Sequence, residues 1–174
     1  EPQRTNLDCV YKTLESNGWL DTEVVPMGLG AVPGIRVLYG ASGPGASLIR
    51  GWAGYSDGAR QVISVTTLDA LLEGRFPTER LLIKIDVEGA EPEVLAGADF
   101  KRFRPKVIVA EAVAPGSGEP AWQEWEPQLL SHGYCFALFD TLNRFYVAKE
   151  HPAIMARLPR ERADWHAVRH MYEI

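Results

Sequence analysis

The stretch Leu81-Leu82-Ile83-Lys84-Ile85-Asp86-Val87-Glu88-Gly89-Ala90-Glu91-Pro92 limits what this chain can fold into more than any other. Its first half is a short, nearly unbroken aliphatic run, the pattern of a strand covered on both faces in a parallel sheet. The run stops at two carboxylates. Gly89 permits a tight backbone, Pro92 suits the first turn of a helix, and Gly97 after Val94-Leu95-Ala96 suits its end. The order is therefore strand, acidic loop, helix. In an open α/β sheet the loops at the carboxyl ends of the strands form the ligand crevice, which places Asp86 and Glu88 at its edge.

A chain of 174 residues, 46% of them hydrophobic, can enclose one core. A net charge of -5 gives no basic footprint for nucleic acid, and no apolar run approaches the length of a membrane span. Cys9 and Cys135 match no metal or redox spacing and read as reduced thiols of a cytoplasmic protein. The chain opens at Glu1-Pro2-Gln3-Arg4, with neither a signal peptide nor an initiator methionine, and is expected to begin inside a longer protein.

Thr5-Asn6-Leu7-Asp8 offers a capping-box-like helix start, after which Leu7, Val10, Tyr11 and Leu14 share one helical face up to Asn17-Gly18. Glu23-Val24-Val25-Pro26 and Ile35 to Tyr39 read as strands, and Ser47 to Gly51 as a segment pairing beside the second. The glycines from Gly40 to Gly45 superficially suggest a phosphate cradle. No Lys-Ser/Thr follows and no helix opens there, so a hairpin turn is expected. Gln61 to Val65 alternates like a half-buried strand and leads into a short helix capped by Thr67.

Val107-Ile108-Val109-Ala110 is a second aliphatic run, ending in Glu111. Trp122, Trp125 and Leu129 are spaced as the packed face of a covering helix. Tyr134 to Leu138 and Arg144 to Ala148 close the fold as an antiparallel pair at a sheet edge. Ala114 to Pro120 reads as a loop on the crevice side, placed to act as a lid. His151 to Ile174 reads as a helical extension in two pieces around Pro159, and His166 and His170 within it lack a third metal ligand.

The chemistry rests on acids. No nucleophile elbow, kinase signature or nucleotide-binding loop occurs. Asp86, Glu88 and Glu111 remain, with Lys84 close to the first two. Such a cluster can take a proton from a hydroxyl, hold a divalent ion, or bind sugar hydroxyls, and residue chemistry alone leaves these three open. The structural alternative is that Asp86 ends a strand, that Glu88 and Glu91 favour the N-terminus of the following helix, and that Lys84 supplies a counter-charge.

Ile83-Lys84-Ile85-Asp86-Val87-Glu88-Gly89-Ala90-Glu91, followed by Val94-Leu95-Ala96-Gly97, resembles the signature of the FkbM family of S-adenosylmethionine-dependent methyltransferases. Val65-Thr66-Thr67-Leu68-Asp69, the strand ending at Glu111, Gly133-Tyr134 and Asn143-Arg144-Phe145-Tyr146-Val147 are similar to that family's later elements in the same order. The resemblance implies an α/β fold of the class I methyltransferase (Rossmann-like) type over residues 1–150. That fold is a doubly wound, mostly parallel sheet with an antiparallel edge pair. Residues 151–174 would follow it as an extension.

The resemblance also implies methyl transfer from S-adenosylmethionine to a hydroxyl of a sugar, glycan or polyketide-like metabolite in a bacterial cytoplasm, with no metal assigned. It gives Asp86, Glu88 and Glu111 catalytic roles and places Glu1 and Asp86 at the cofactor, Glu1 on the ribose hydroxyls by the likeness alone. The family's glycine-rich cofactor turn has no counterpart in this sequence. The other expected function is a non-catalytic scaffold or glycan-binding module on the same fold. Partners are expected to be the small-molecule or glycan substrate, further domains, or a second copy.

Two geometric expectations follow. Asp86 and Glu111 should lie at the same end of neighbouring parallel strands and face one crevice. If Glu1-Pro2 ends the family's second strand, Val24-Val25 and Ile83 should stand about 14 Å apart, three strand spacings. Upstream residues, a second chain or a rearranged hairpin from Ile35 to Val65 would fill the gap. Direct pairing of Glu23–Pro26 with Leu81–Ile85 would refute that reading.

Overall fold

The computed structural model describes residues 1–43, 45–51, 59–75, 81–114 and 117–158. The expectations for Pro159, His166 and His170 lie outside the described residues, as do parts of the Gly40–Gly45 and Ala114–Pro120 loops. The elements in chain order are α1 (Arg4–Asn17), β1 (Gly28–Leu29), β2 (Gly34–Tyr39), β3 (Arg60–Thr66), α2 (Leu68–Leu72), β4 (Leu82–Ile85), α3 (Glu91–Ala96), β5 (Val107–Glu111), α4 (Glu126–Ser131), β6 (Tyr134–Phe139), β7 (Asn143–Ala148) and α5 (Pro152–Met155).

The strands form two small mixed sheets, ordered β1-β3-β2 and β4-β5-β7-β6. This α/β arrangement differs from the single doubly wound, mostly parallel sheet expected. Among the described residues only β1 with β3 and β4 with β5 run parallel. The antiparallel pair β6 and β7 is present, with β6 outermost.

β5 is buried along its whole length because β4 and β7 flank it and both of its faces are covered. Ile108 and Ala110 face the main core with Ile85, Val94, Leu95, Trp125, Leu129 and Tyr146. Val107 and Val109 face Val147, Phe145, Ile154, Met155 and Leu158, so residues 151–158 pack on the sheet's second face. β4 corrects the expectation of a strand covered on both faces: Leu82 is 61% exposed, and Lys84 is exposed too. Its outer edge pairs with no strand among the described residues.

Glu23–Pro26 forms no strand, and the parallel strand of that region is the shorter Gly28–Leu29. Its ladder partner is β3, so Glu23–Pro26 does not pair with β4. The hairpin of β2 and β3 builds its own sheet and does not add to β4. Ser47–Gly51 contributes one isolated bridge, Ser47 with Tyr39. The first helix starts at Arg4 with Gln3 as N-cap and without a side-chain cap, because Gln3 is committed elsewhere, as described below. Its end at Gly18, with φ 67°, is as expected.

The two sheets meet through backbone and apolar contacts. A Cβ on Gly97, after α3, would stand 2.3 Å from the carbonyl oxygen of Gly30, so only glycine fits this crossing. Leu29 packs into two of the apolar clusters, beside Ile83 in both. Arg36 on β2 clasps Glu93 on α3 at 2.8 Å, which raises the guanidinium pKa and lowers that of the carboxyl.

Candidate active site

Asp86, Glu111 and Asn143 end adjacent strands at one level. Ile85 pairs with Ala110 in the parallel ladder, which sets Asp86 beside Glu111, and Glu111 pairs with Asn143 in the antiparallel one. Residues opposite one another in a ladder project on the same face. The first geometric expectation is met in part: both carboxylates lie at the carboxyl ends of neighbouring parallel strands, but Asp86 lines the cavity described below and Glu111 does not.

The turn after β4 is held by contacts that sequence reading missed. Glu88 and Gly89 both have positive φ, 54° and 93°. For a glutamate this is an uncommon conformation that needs outside support. Ser47, fully buried, donates its hydroxyl to the Glu88 carbonyl at 2.8 Å. Glu91, 3% exposed, accepts from the backbone N–H of Val87 at 3.0 Å and of Gly89 at 3.4 Å. Glu91 is therefore a strut of the turn and not merely a first-turn charge. Nothing in the sequence links Ser47 to Glu88, 41 positions away.

Glu88, half-buried, has its pKa raised by burial and then by Asp86 and Glu91, against the opposing pull of Lys84. Lys84 donates to Asp86 at 2.8 Å, as the counter-charge reading expected. Glu111 is only 9% exposed, and its Oε2 has no hydrogen-bond partner. Burial first, and then Asp86, Glu88 and Glu91, push its pKa up to about 8. It therefore holds a proton at neutral pH. Asp86 and Glu111 thus stand side by side in unlike environments, one exposed and paired with a lysine, the other buried among acids.

Asp86 and Glu88 line one wall of a cavity of about 360 Å³. Glu1, Pro2, Gln3 and Asn6 line another part of it, and Met27, Leu29, Leu38, Leu48 and Val87 supply apolar surface. The chain start is fixed there by amide side chains. Gln61 donates to the Pro2 carbonyl at 2.7 Å and accepts from the Arg4 N–H at 3.0 Å. Gln3 donates to the carbonyls of Ala41 and Gly43 at 3.2 and 3.0 Å. The Glu1 carboxylate accepts from the Gln3 backbone N–H at 2.7 Å, which orients it beside the cavity.

The structure therefore brings Glu1, Asp86 and Glu88 to one cavity, with Glu111 next to Asp86 but not among the lining residues. Among the described residues no group of three or more His, Cys, Asp or Glu has the geometry to hold a metal ion. None of the helices is long and apolar enough to cross a membrane, again among the described residues. Cys9 and Cys135 are both free and exposed.

No curated protein and no solved structure matches the chain. The family model described as the methyltransferase FkbM domain matches residues 33–136, which include Asp86, Glu88 and Glu111. That match spans more than half of the sequence and contains the acid-bearing ends of both parallel strands of the second sheet, so the chain belongs to the FkbM methyltransferase family.

Proposed function

We propose that the protein is an S-adenosylmethionine-dependent O-methyltransferase acting on a hydroxyl of a sugar, glycan or polyketide-like metabolite. The observation that carries this reading is the cavity faced by Glu1 on one side and by Asp86 and Glu88 on the other. Carboxylates accept from ribose hydroxyls, and the apolar surface of Met27, Leu29, Leu38 and Leu48 suits an adenine ring, so these residues fit the nucleoside half of the cofactor. When bound, the cofactor supplies a methyl group activated by its sulfonium.

Asp86 lies at the mouth of the crevice with an exposed carboxylate that Lys84 holds in place. It would take the proton of the acceptor hydroxyl as that oxygen receives the methyl group. Alignment of hydroxyl and methyl supplies most of the acceleration, and the supported turn at Glu88 keeps that geometry fixed. Glu88, on the same cavity, holds the acceptor beside Asp86, and Glu111 lies behind them as a buried neighbour of Asp86.

The test compares wild type with Asp86→Asn for transfer of radiolabelled methyl from S-adenosylmethionine, with cofactor binding measured by calorimetry. An amide keeps the shape of Asp86 but cannot act as the base. Loss of transfer with folding and cofactor binding intact is the expected result. Undiminished turnover removes Asp86 from the chemistry, and absence of cofactor binding by the wild type removes the methyltransferase reading in favour of a scaffold.

A further inference from the structure

Among the described residues α1 is the longest helix, with 14 residues, and it buries none of them. None of its apolar side chains belongs to the four apolar clusters or packs against them. Leu7, Val10 and Leu14 nevertheless recur at helical spacing, with Tyr11, 46% exposed, beside them. The apolar seam continues past Gly18 into Trp19 and Leu20, both exposed. The helix is tied to the first sheet and its loop at its N-terminus, where Gln61 accepts from the Arg4 N–H and Gln3 reaches the carbonyls of Ala41 and Gly43. A helix of this length is marginal in water unless its apolar face packs on something.

Charge decides what covers that face. Arg4, Asp8, Lys12 and Glu15 run along one side of the helix with alternating sign. All four are exposed, and among the described residues none closes an ion pair, even with its neighbour one turn away. Read in reverse about Val10, the series changes sign at every position. A second α1 laid antiparallel across a two-fold axis near Val10 therefore sets Arg4 by Glu15 and Asp8 by Lys12, each within about one residue rise, ~1.5 Å, of level. The same axis brings Leu7 beside Leu14 and Val10 beside Val10. A parallel copy would set each charge against its like, and a partner helix of one sign would be repelled along half of the series. Alternating charges also serve solvated helices through pairs within the helix, but α1 closes no such pair.

We propose that α1 is a self-recognition element, through which two copies of this chain pair antiparallel about a two-fold axis near Val10. Trp19 and Leu20 of each copy then fall beside the start of the other helix, where Glu1, Pro2 and Gln3 line the cavity. This goes beyond the methyltransferase reading and does not depend on it.

The test is sedimentation velocity of the full chain over a concentration series, for wild type, Arg4→Glu, Glu15→Arg and the double variant. Both positions are exposed, and circular dichroism checks that each variant keeps its helix content. The wild type should show a monomer–dimer equilibrium. Either single reversal sets like charges together at two symmetry-related places and should weaken the dimer by about tenfold or more. The double variant, and an equimolar mixture of the two single variants, should recover wild-type association, because each restores opposite charges across the axis.

A wild type that stays monomeric throughout would show that something other than a second copy covers the seam, and overturns the proposal. So does a dimer indifferent to both reversals, or a double variant that associates no better than the single ones.

Discussion

Glu111→Gln should make the protein more stable above neutral pH, and by an amount that the structure sets. The carboxyl is 9% exposed, lacks a partner for Oε2, and is raised from the ordinary 4.5 to about 8 by burial and by Asp86, Glu88 and Glu91. Between those values the folded protein holds a proton that the unfolded chain releases. The contribution of Glu111 is therefore intact below about pH 4.5 and is lost as the pH rises through about 8. Linkage gives about 1.4 kcal/mol per pH unit in that window, on the order of 5 kcal/mol across it. Glutamine has no proton to lose and can donate its Nε2–H toward Asn143 Oδ1. Urea unfolding followed by tryptophan fluorescence, with Trp125 buried in the core as reporter, should be run from pH 5 to pH 9. The two proteins should be close at pH 5 and diverge in favour of the variant as the pH rises. Parallel curves, or a variant that loses ground with pH, would refute the reasoning.

Gly97→Ala should destabilise the fold by about 1–3 kcal/mol in urea unfolding, because its Cβ would press on the Gly30 backbone where the two sheets meet. Arg144→Ala should cost about 3–5 kcal/mol by the same measurement. Its guanidinium is buried against Glu126, with side chains 12% and 13% exposed, and it stacks between the rings of Trp122 and Phe136. Arg75→Ala, which breaks an exposed pair with Glu23, should change stability by less than about 1 kcal/mol. Glu88→Gly should leave stability within about 1 kcal/mol, since relief of the left-handed φ offsets the added chain entropy, while methyl transfer falls in a radiolabel assay.

The local elements were legible in the sequence because they rest on signals that act within a few residues. The aliphatic run of β5 and the Thr67 cap, which accepts from the Ala70 N–H at 3.1 Å, follow from side-chain type and spacing. So do Gly18 at the end of α1 and the acids that stop β4 and β5. The sequence by itself thus determined which acids end which strands, and the parallel pairing then placed Asp86 and Glu111 at one edge.

Tertiary structure alone decided the rest. The division into two sheets, the open edge of β4 and the failure of Glu23–Pro26 to form a strand depend on which backbone groups find partners far along the chain. Ser47 beneath Glu88 and Glu91 within its own turn are further examples, as are Gln3 and Gln61 around the first residues. These contacts carry no periodic signal. Asn143 is the clearest case. Its sequence neighbours mark only a turn, whereas the antiparallel register sets it opposite Glu111 while Asp140 accepts from its amide. Periodicity reports how a residue sits on its own element, whereas the charge and hydrogen-bond state of a buried group is set by what long-range pairing brings against it.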